Sequence, residues 1–237
     1  MLSTAPMADP KKPKSGGGCL GKLAILFLLA IGAGFGLALF QVARPQDLSD
    51  IGGTGPAAPG ATSRDITVVL QNAVKRRIPV TLTESELNRW LATHVQAKQA
   101  GALASNVALE GVRVRLEDGR AEWILERSVM GRPFTVSMYL QVRQSEGMHG
   151  VRTEILRHGG PYHEALPHPN VGGRFGRLPV PQGFLLLVMP SFGKLAAVLA
   201  PEGDLVQEMA RIRIEDGRLI LDPRDPAESS MGLPQSF

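Results

Sequence analysis

The longest apolar stretch of the chain lies near its N-terminus. Residues 23–43 read LAILFLLAIGAGFGLALFQVA and contain no ionisable side chain. Because a hydrocarbon core of ~30 Å needs about 20 helical residues, this stretch predicts one transmembrane helix over residues 23–43. The alternative is a cleaved secretory signal, although the apolar region of such signals is typically only ~7–15 residues long.

Residues 64–223 predict one folded domain. In its first part the apolar residues recur at the spacing of a helix. Ser63 can cap a short helix that ends near Arg76, and residues 78–83 then have the composition of a strand. Thr83 and Glu86 have the spacing of a capping box, so a second helix begins there. The apolar face of that helix carries Leu87, Trp90 and Leu91.

From Val107 onward the apolar period changes to two, which is typical of strands. Apolar and polar residues alternate on both sides of Asp118-Gly119, a dipeptide that favours a tight turn, so a hairpin with one dry and one wet face is expected. Residues 134–142 and the region around Ile155 predict two further antiparallel strands. Residues 210–221 predict a second hairpin, whose turn shares the letters EDGR with the first. A duplicated unit is one explanation, but no other stretch repeats at that period, which favours two generic hairpins.

Residues 182–199 form a second apolar stretch, QGFLLLVMPSFGKLAAVL, in which Lys194 is the only charged side chain. A second membrane span would place that lysine near the bilayer centre at a cost of about 2.5–3.5 kcal/mol, and the stretch is short. A long apolar helix buried on most sides is therefore favoured. The expected fold class is α+β, with an antiparallel sheet packed on this helix and one transmembrane helix before the domain.

The net charge of +4 is concentrated at the N-terminus. Residues 1–22 contain four lysines and one aspartate, which leaves about +1 for the rest of the chain. The positive flank predicts a cytoplasmic N-terminus, a single-pass protein of the cell inner membrane, and a periplasmic or other extracytoplasmic domain. A folded part with so little net charge also argues against nucleic acid as a partner.

The segments outside the helix and the domain lack apolar periodicity. Residues 1–22 predict a disordered basic cytoplasmic tail, residues 44–63 a flexible linker rich in Gly and Pro, and residues 224–237 a disordered C-terminal tail. Within the apolar helix, Gly32 and Gly36 form a GxxxG pair that could support a weak homodimer.

The motifs of catalysis are absent from the sequence. It contains no GxSxG, no HExxH, no P-loop and no cysteine pair, since Cys19 is the only cysteine. A cluster of three histidines and a glutamate could bind zinc, but its spacing of five and five fits a solvated loop better (His158, His163, Glu164, His168). Residues 172–176 predict a glycine-rich turn. We therefore expect no enzyme, no metal and no cofactor.

Three short motifs resemble a known family. Thr81-Leu-Thr-Glu-Ser-Glu-Leu-Asn88, Gly176-Arg-Leu-Pro-Val-Pro181 and Asp216-Gly-Arg-Leu-Ile-Leu221 look like the bacterial YpmS-like group of membrane-anchored envelope domains. That group is similar to tubular, BPI-like lipid-binding domains. The resemblance implies a long curved sheet wrapped on a helix and an apolar groove for acyl chains, without catalytic residues. This chain has only one such unit.

These observations predict an extracytoplasmic domain that binds membrane lipid or another apolar ligand between sheet and helix. The alternative is an envelope scaffold that binds a protein partner through a sheet edge or the histidine loop, with no small ligand. The candidate groove residues are apolar side chains of the dry face of the sheet and of the second apolar stretch: Trp123, Phe134, Val136, Met138, Leu140, Phe184, Leu187, Val188, Phe192 and Leu195.

Overall fold

The computed structural model describes residues 19–53, 64–95, 107–147, 150–157 and 171–224. The chain divides into two compact units, Met1–Phe40 and Gln41–Phe237. Helix α1 (Cys19–Val42) contains the apolar stretch Gly21–Val42, which is long and apolar enough to cross a membrane. It is the only helix of that kind within the described residues. The alternative of a second membrane span over residues 182–199 is not supported, because that stretch is divided between a 3₁₀ helix and a short α-helix.

The second unit is a mixed α+β structure, as expected. Its remaining helices are α2 (Ile66–Arg76), α3 (Glu84–His94), α4 (Met189–Val198), α5 (Ala200–Gln207) and a 3₁₀ helix (Gln182–Leu187). Its strands are β1 (Val80–Thr83), β2 (Val107–Glu117), β3 (Arg120–Val129), β4 (Arg132–Gly147), β5 (Gly150–Arg157), β6 (Val171–Phe175), β7 (Leu178–Pro181), β8 (Arg211–Glu215) and β9 (Arg218–Asp222).

The strands form two antiparallel sheets. The larger sheet has the order β2-β3-β4-β6-β7, and β5 pairs with the later part of β4. The smaller sheet has the order β1-β9-β8. Both predicted hairpins are confirmed, and so are the strands over residues 134–142 and around Ile155.

The two Asp-Gly turns meet and join the sheets. The Gly119 amide donates to the Ile214 carbonyl at 2.9 Å, and the Gly217 amide donates to the Leu116 carbonyl at 3.0 Å. Both glycines have positive φ, which is the reason for glycine at these turns. The two turns with the shared EDGR sequence therefore contact each other, which the sequence pattern alone did not indicate.

Helices α2 and α3 begin at side-chain caps. Thr83 and Glu86 form the expected capping box at the start of α3. Helix α2 is capped by Asp65, which accepts from the Thr67 amide, so the prediction of Ser63 as its cap is wrong. Asp65 is nearer the first buried residue of the helix, Ile66.

The second apolar stretch differs from the expected long buried helix. It begins as a 3₁₀ helix and continues as α4, which starts at Met189 with Pro190 in its first turn. Proline is well accommodated there because a helix leaves its first amides unpaired. Only Leu185, Phe192 and Leu195 of this stretch are buried, so the prediction of burial on most sides is wrong.

Residues 172–176 belong largely to strand β6, so the predicted glycine-rich turn is also wrong. A side chain at Gly173 would collide with the Ser137 carbonyl, and one at Gly172 would press on the backbone of Gln182. The glycines thus allow β6 to lie close to β4 and to the start of the 3₁₀ helix.

Residues 44–53 differ from the flexible linker expected over 44–63. The backbone amide of Gln46 donates to Thr135 Oγ1 at 2.9 Å, and the backbone amide of Gly52 donates to Glu84 Oε1 at 2.8 Å. Gln46 and Ile51 are both buried. This segment lies on the polar face of the larger sheet, so the folded unit begins well before Arg64.

Candidate functional site

An apolar cavity of about 540 Å³ lies inside the second unit. Its walls come from the apolar face of the larger sheet, from the smaller sheet and from helices α2, α3, α4 and α5. The volume falls within the ~300–1,000 Å³ typical of small-molecule sites.

The sheet face that lines the cavity follows directly from the alternation in the sequence. Val114 faces Trp123 on β3, and Trp123 faces Met138 on β4, so these side chains lie on one face of three adjacent strands. Leu116, Ala121 and Leu140 continue the same face.

Helix α3 contributes the wall opposite through its apolar stripe. Leu87, Trp90 and Leu91 all line the cavity, and the capping box defines where the helix begins. Trp90 also stacks on His94, with ring centroids 4.8 Å apart. The chain contains two tryptophans, Trp90 and Trp123, and both line the cavity.

Charged groups occur in the cavity wall only on α5, as far as the described residues show. They are Glu202 and Asp204, and Gln207 adds an amide. Thr67 donates a 2.7 Å hydrogen bond to Glu202 Oε1, which links α5 to α2. The cavity wall is therefore hydrocarbon except at one helix, where it carries acidic groups.

Five of the ten predicted groove residues line the cavity. They are Trp123, Met138, Leu140, Phe192 and Leu195. The structure places the other five elsewhere: Val136 is in the buried core, Phe134 and Val188 pack against it, and Phe184 and Leu187 are exposed to solvent.

The sequence-based prediction missed the helical and small-sheet walls. Ile66 and Leu70 of α2 and Leu82 of β1 line the cavity, as do the apolar residues of β8 and β9. Their periodic spacing indicated burial but did not distinguish a closed core from a cavity wall.

The opposite face of the larger sheet carries a polar cluster and is largely buried. Glu122 is 0 % exposed and accepts from Arg115 Nη1 at 2.8 Å and from Ser137 Oγ at 2.6 Å. Arg174 Nε lies 3.7 Å from the same carboxylate. The prediction of a wet face is therefore wrong here, because residues 44–53 and β6 cover it.

The pKa shifts in this cluster follow from burial and from ion pairing. Burial and the Glu122 carboxylate raise the pKa of Tyr139, whose hydroxyl accepts a 3.1 Å hydrogen bond from Arg174. Burial lowers the pKa of Arg115, but Glu122 and Asp50 outweigh it, and the net pKa is raised. Arg115 also donates to Asp50 and to the Asp47 carbonyl, which ties residues 44–53 to the sheet.

No group of three or more potential metal ligands occurs among the described residues. The histidine cluster His158, His163, Glu164 and His168 lies outside them, as do nearly all residues of the predicted terminal tails.

Comparison with protein-family models, with curated proteins and with solved structures found no match to this chain. The resemblance to the YpmS-like group therefore stays a prediction.

Proposed function

We propose that this protein is a membrane-anchored domain that binds an apolar ligand, such as a lipid with an uncharged head, in the cavity between its sheets and helices. The observation that carries the proposal is the cavity of about 540 Å³, whose wall is almost entirely hydrocarbon. Each methylene moved from water into such a site contributes about 0.8 kcal/mol, so a single acyl chain supplies substantial affinity.

The proposal includes the finer expectations from the sequence. The anchor is α1, with a cytoplasmic N-terminus in the inner membrane and the domain on the other side, because the lysines precede the apolar stretch. A sheet curved around the ligand, as the YpmS-like resemblance implies, also belongs to this proposal.

The two tryptophans make the cavity directly testable in the full chain. A lipid nanodisc carrying the protein is titrated with a dibrominated long-chain alcohol, because bromine quenches indole emission only at short range. An alcohol in the cavity quenches Trp90 and Trp123, which both line it. The same alcohol in the bilayer leaves them bright. We expect saturable quenching.

Two neighbouring alanines of α4 provide matched variants. Ala196 lines the cavity and Ala197 does not, and both are exposed. Ala196→Phe should weaken the quenching by filling the cavity, whereas Ala197→Phe should leave it unchanged. Quenching that rises linearly without saturation, or that responds equally to both variants, would reject ligand binding in this cavity.

A further inference from the structure

The 3₁₀ helix and α4 present an apolar outer surface. Phe184 is 57 % exposed, Leu186 66 %, Leu187 76 % and Val198 58 %. Pro190 and Ala197 are exposed as well, and the only charged side chain from Gln182 to Val198 is Lys194. We call Phe184, Leu186, Leu187, Pro190, Lys194, Ala197 and Val198 the outer surface.

The composition of residues 182–198 and the burial of their side chains disagree. A helix that is apolar all round is expected to have apolar surroundings on every side. The inner side of this stretch satisfies that expectation, because Leu185, Phe192 and Leu195 are buried. The outer side does not, and exposed apolar patches are typical of a contact with a protein or a membrane.

The position of the surface along the chain favours a membrane. The chain enters the folded unit at Gln41, whose carbonyl accepts a 3.0 Å hydrogen bond from the Arg177 amide. The 3₁₀ helix begins five residues after Arg177, so its start lies within ~17 Å of that hydrogen bond. Gln41 is the next-to-last residue of the membrane-spanning stretch Gly21–Val42, so it must lie near the bilayer surface.

The charge of the surface points the same way. Interfacial elements carry large apolar residues on the membrane side and lysine or arginine at the headgroups. Lys194 is the only charge of the outer surface, and its aliphatic stem can reach outward while the apolar neighbours insert. Anionic lipid attracts such a lysine.

We infer that the outer surface of residues 182–198 lies in the bilayer interface, with Phe184, Leu187 and Val198 in contact with acyl chains and Lys194 at the headgroups. This inference goes beyond ligand binding, because none of these four residues lines the cavity. It also explains why both sides of this stretch are apolar.

The test uses the full chain with Cys19→Ser, so that a single new cysteine carries an environment-sensitive fluorophore. Leu187→Cys reports on the outer surface and Asp118→Cys serves as the control. Asp118 is exposed in the turn just before Arg120, the first residue of β3. Arg120 lies about 20 Å along β3 from Glu126, which pairs with Thr135, the residue that accepts from the backbone amide of Gln46. The labelled proteins are reconstituted in phosphatidylcholine vesicles containing phosphatidylglycerol and a lipid with a nitroxide on its acyl chain.

Interfacial helices bury their apolar face about 5–10 Å into the bilayer, so the label at residue 187 should be quenched at least about twofold more strongly than the label at residue 118. Its emission should also be blue-shifted. Equal quenching of the two labels would overturn the inference. A change that depends on the number of chains per vesicle and not on the nitroxide would place a second copy of the chain on this surface and would overturn it as well.

Discussion

Asn88 connects three parts of the domain and offers the sharpest test of how residues 44–53 are held. Its side-chain amide donates to the Gly52 carbonyl at 3.0 Å and to the Val114 carbonyl at 2.8 Å. Its carbonyl oxygen accepts from the Val114 amide at 2.7 Å. Asn88 is 0 % exposed, so water does not compete for these bonds.

The substitution Asn88→Ala removes three hydrogen bonds at once. With a net contribution of about 1 kcal/mol for each, the expected loss in the free energy of unfolding is about 3 kcal/mol. Val114 is itself buried, so its amide and its carbonyl would lose the partners that Asn88 provides, which adds to the loss.

Urea unfolding of the full chain in detergent micelles, followed by tryptophan emission, measures this loss. The matched control is Asn72→Ala on α2, where the side chain is partly exposed and a change within about 0.5 kcal/mol is expected. A loss below about 1 kcal/mol for Asn88→Ala would refute the argument that these bonds hold helix, sheet and N-terminal segment together.

Three further substitutions test the polar contacts. Glu122→Gln should lower the free energy of unfolding by about 3 kcal/mol in urea unfolding, because it leaves Arg115 without its buried partner. Thr83→Ala removes the α3 capping box and should cost about 1 kcal/mol in the same assay. Hydrogen bonds from Arg224 lower the pKa of Asp222 from 3.8 to about 2. Folding therefore favours the ionised form, and this stabilisation is complete above pH ~4 and lost as the pH falls through ~2. Melting temperatures across that range should fall less steeply for Asp222→Asn, and equal slopes would contradict the assignment.

Local patterns predicted the strands and the start of α3 well. Alternation around Asp118-Gly119 and Asp216-Gly217 is a short-range signal, and so is the Thr83–Glu86 capping box, because each depends on neighbouring residues alone. The structure confirms all three.

Long-range contacts were the ones that local patterns could not predict. Residues 44–53 have the Gly- and Pro-containing composition of a linker, yet Asn88, Glu84 and Arg115 bind them. The buried position of Glu122 has the same cause, since the alternation of charged residues on β3 indicated a solvated face until another segment covered it.

The candidate site was predicted in part for a related reason. Alternation placed Trp123, Met138 and Leu140 on the correct face, and these residues line the cavity. The assumption of one long helix led to Phe184 and Leu187, which are exposed because the stretch breaks into a 3₁₀ helix and α4. Apolar periodicity identifies residues that avoid water, but it does not distinguish a core, a cavity wall and a membrane surface.

The central claim is that one cavity holds an apolar ligand, and the two tryptophans in its wall test it most directly. Trp90→Phe leaves the indole of Trp123 on β3, and Trp123→Phe leaves the indole of Trp90 on α3. Both variants in nanodiscs are titrated with the dibrominated alcohol. The account predicts that the two remaining indoles are quenched saturably with the same midpoint concentration, since they surround the same ligand. Quenching of only one indole, or no saturation with either, would contradict it.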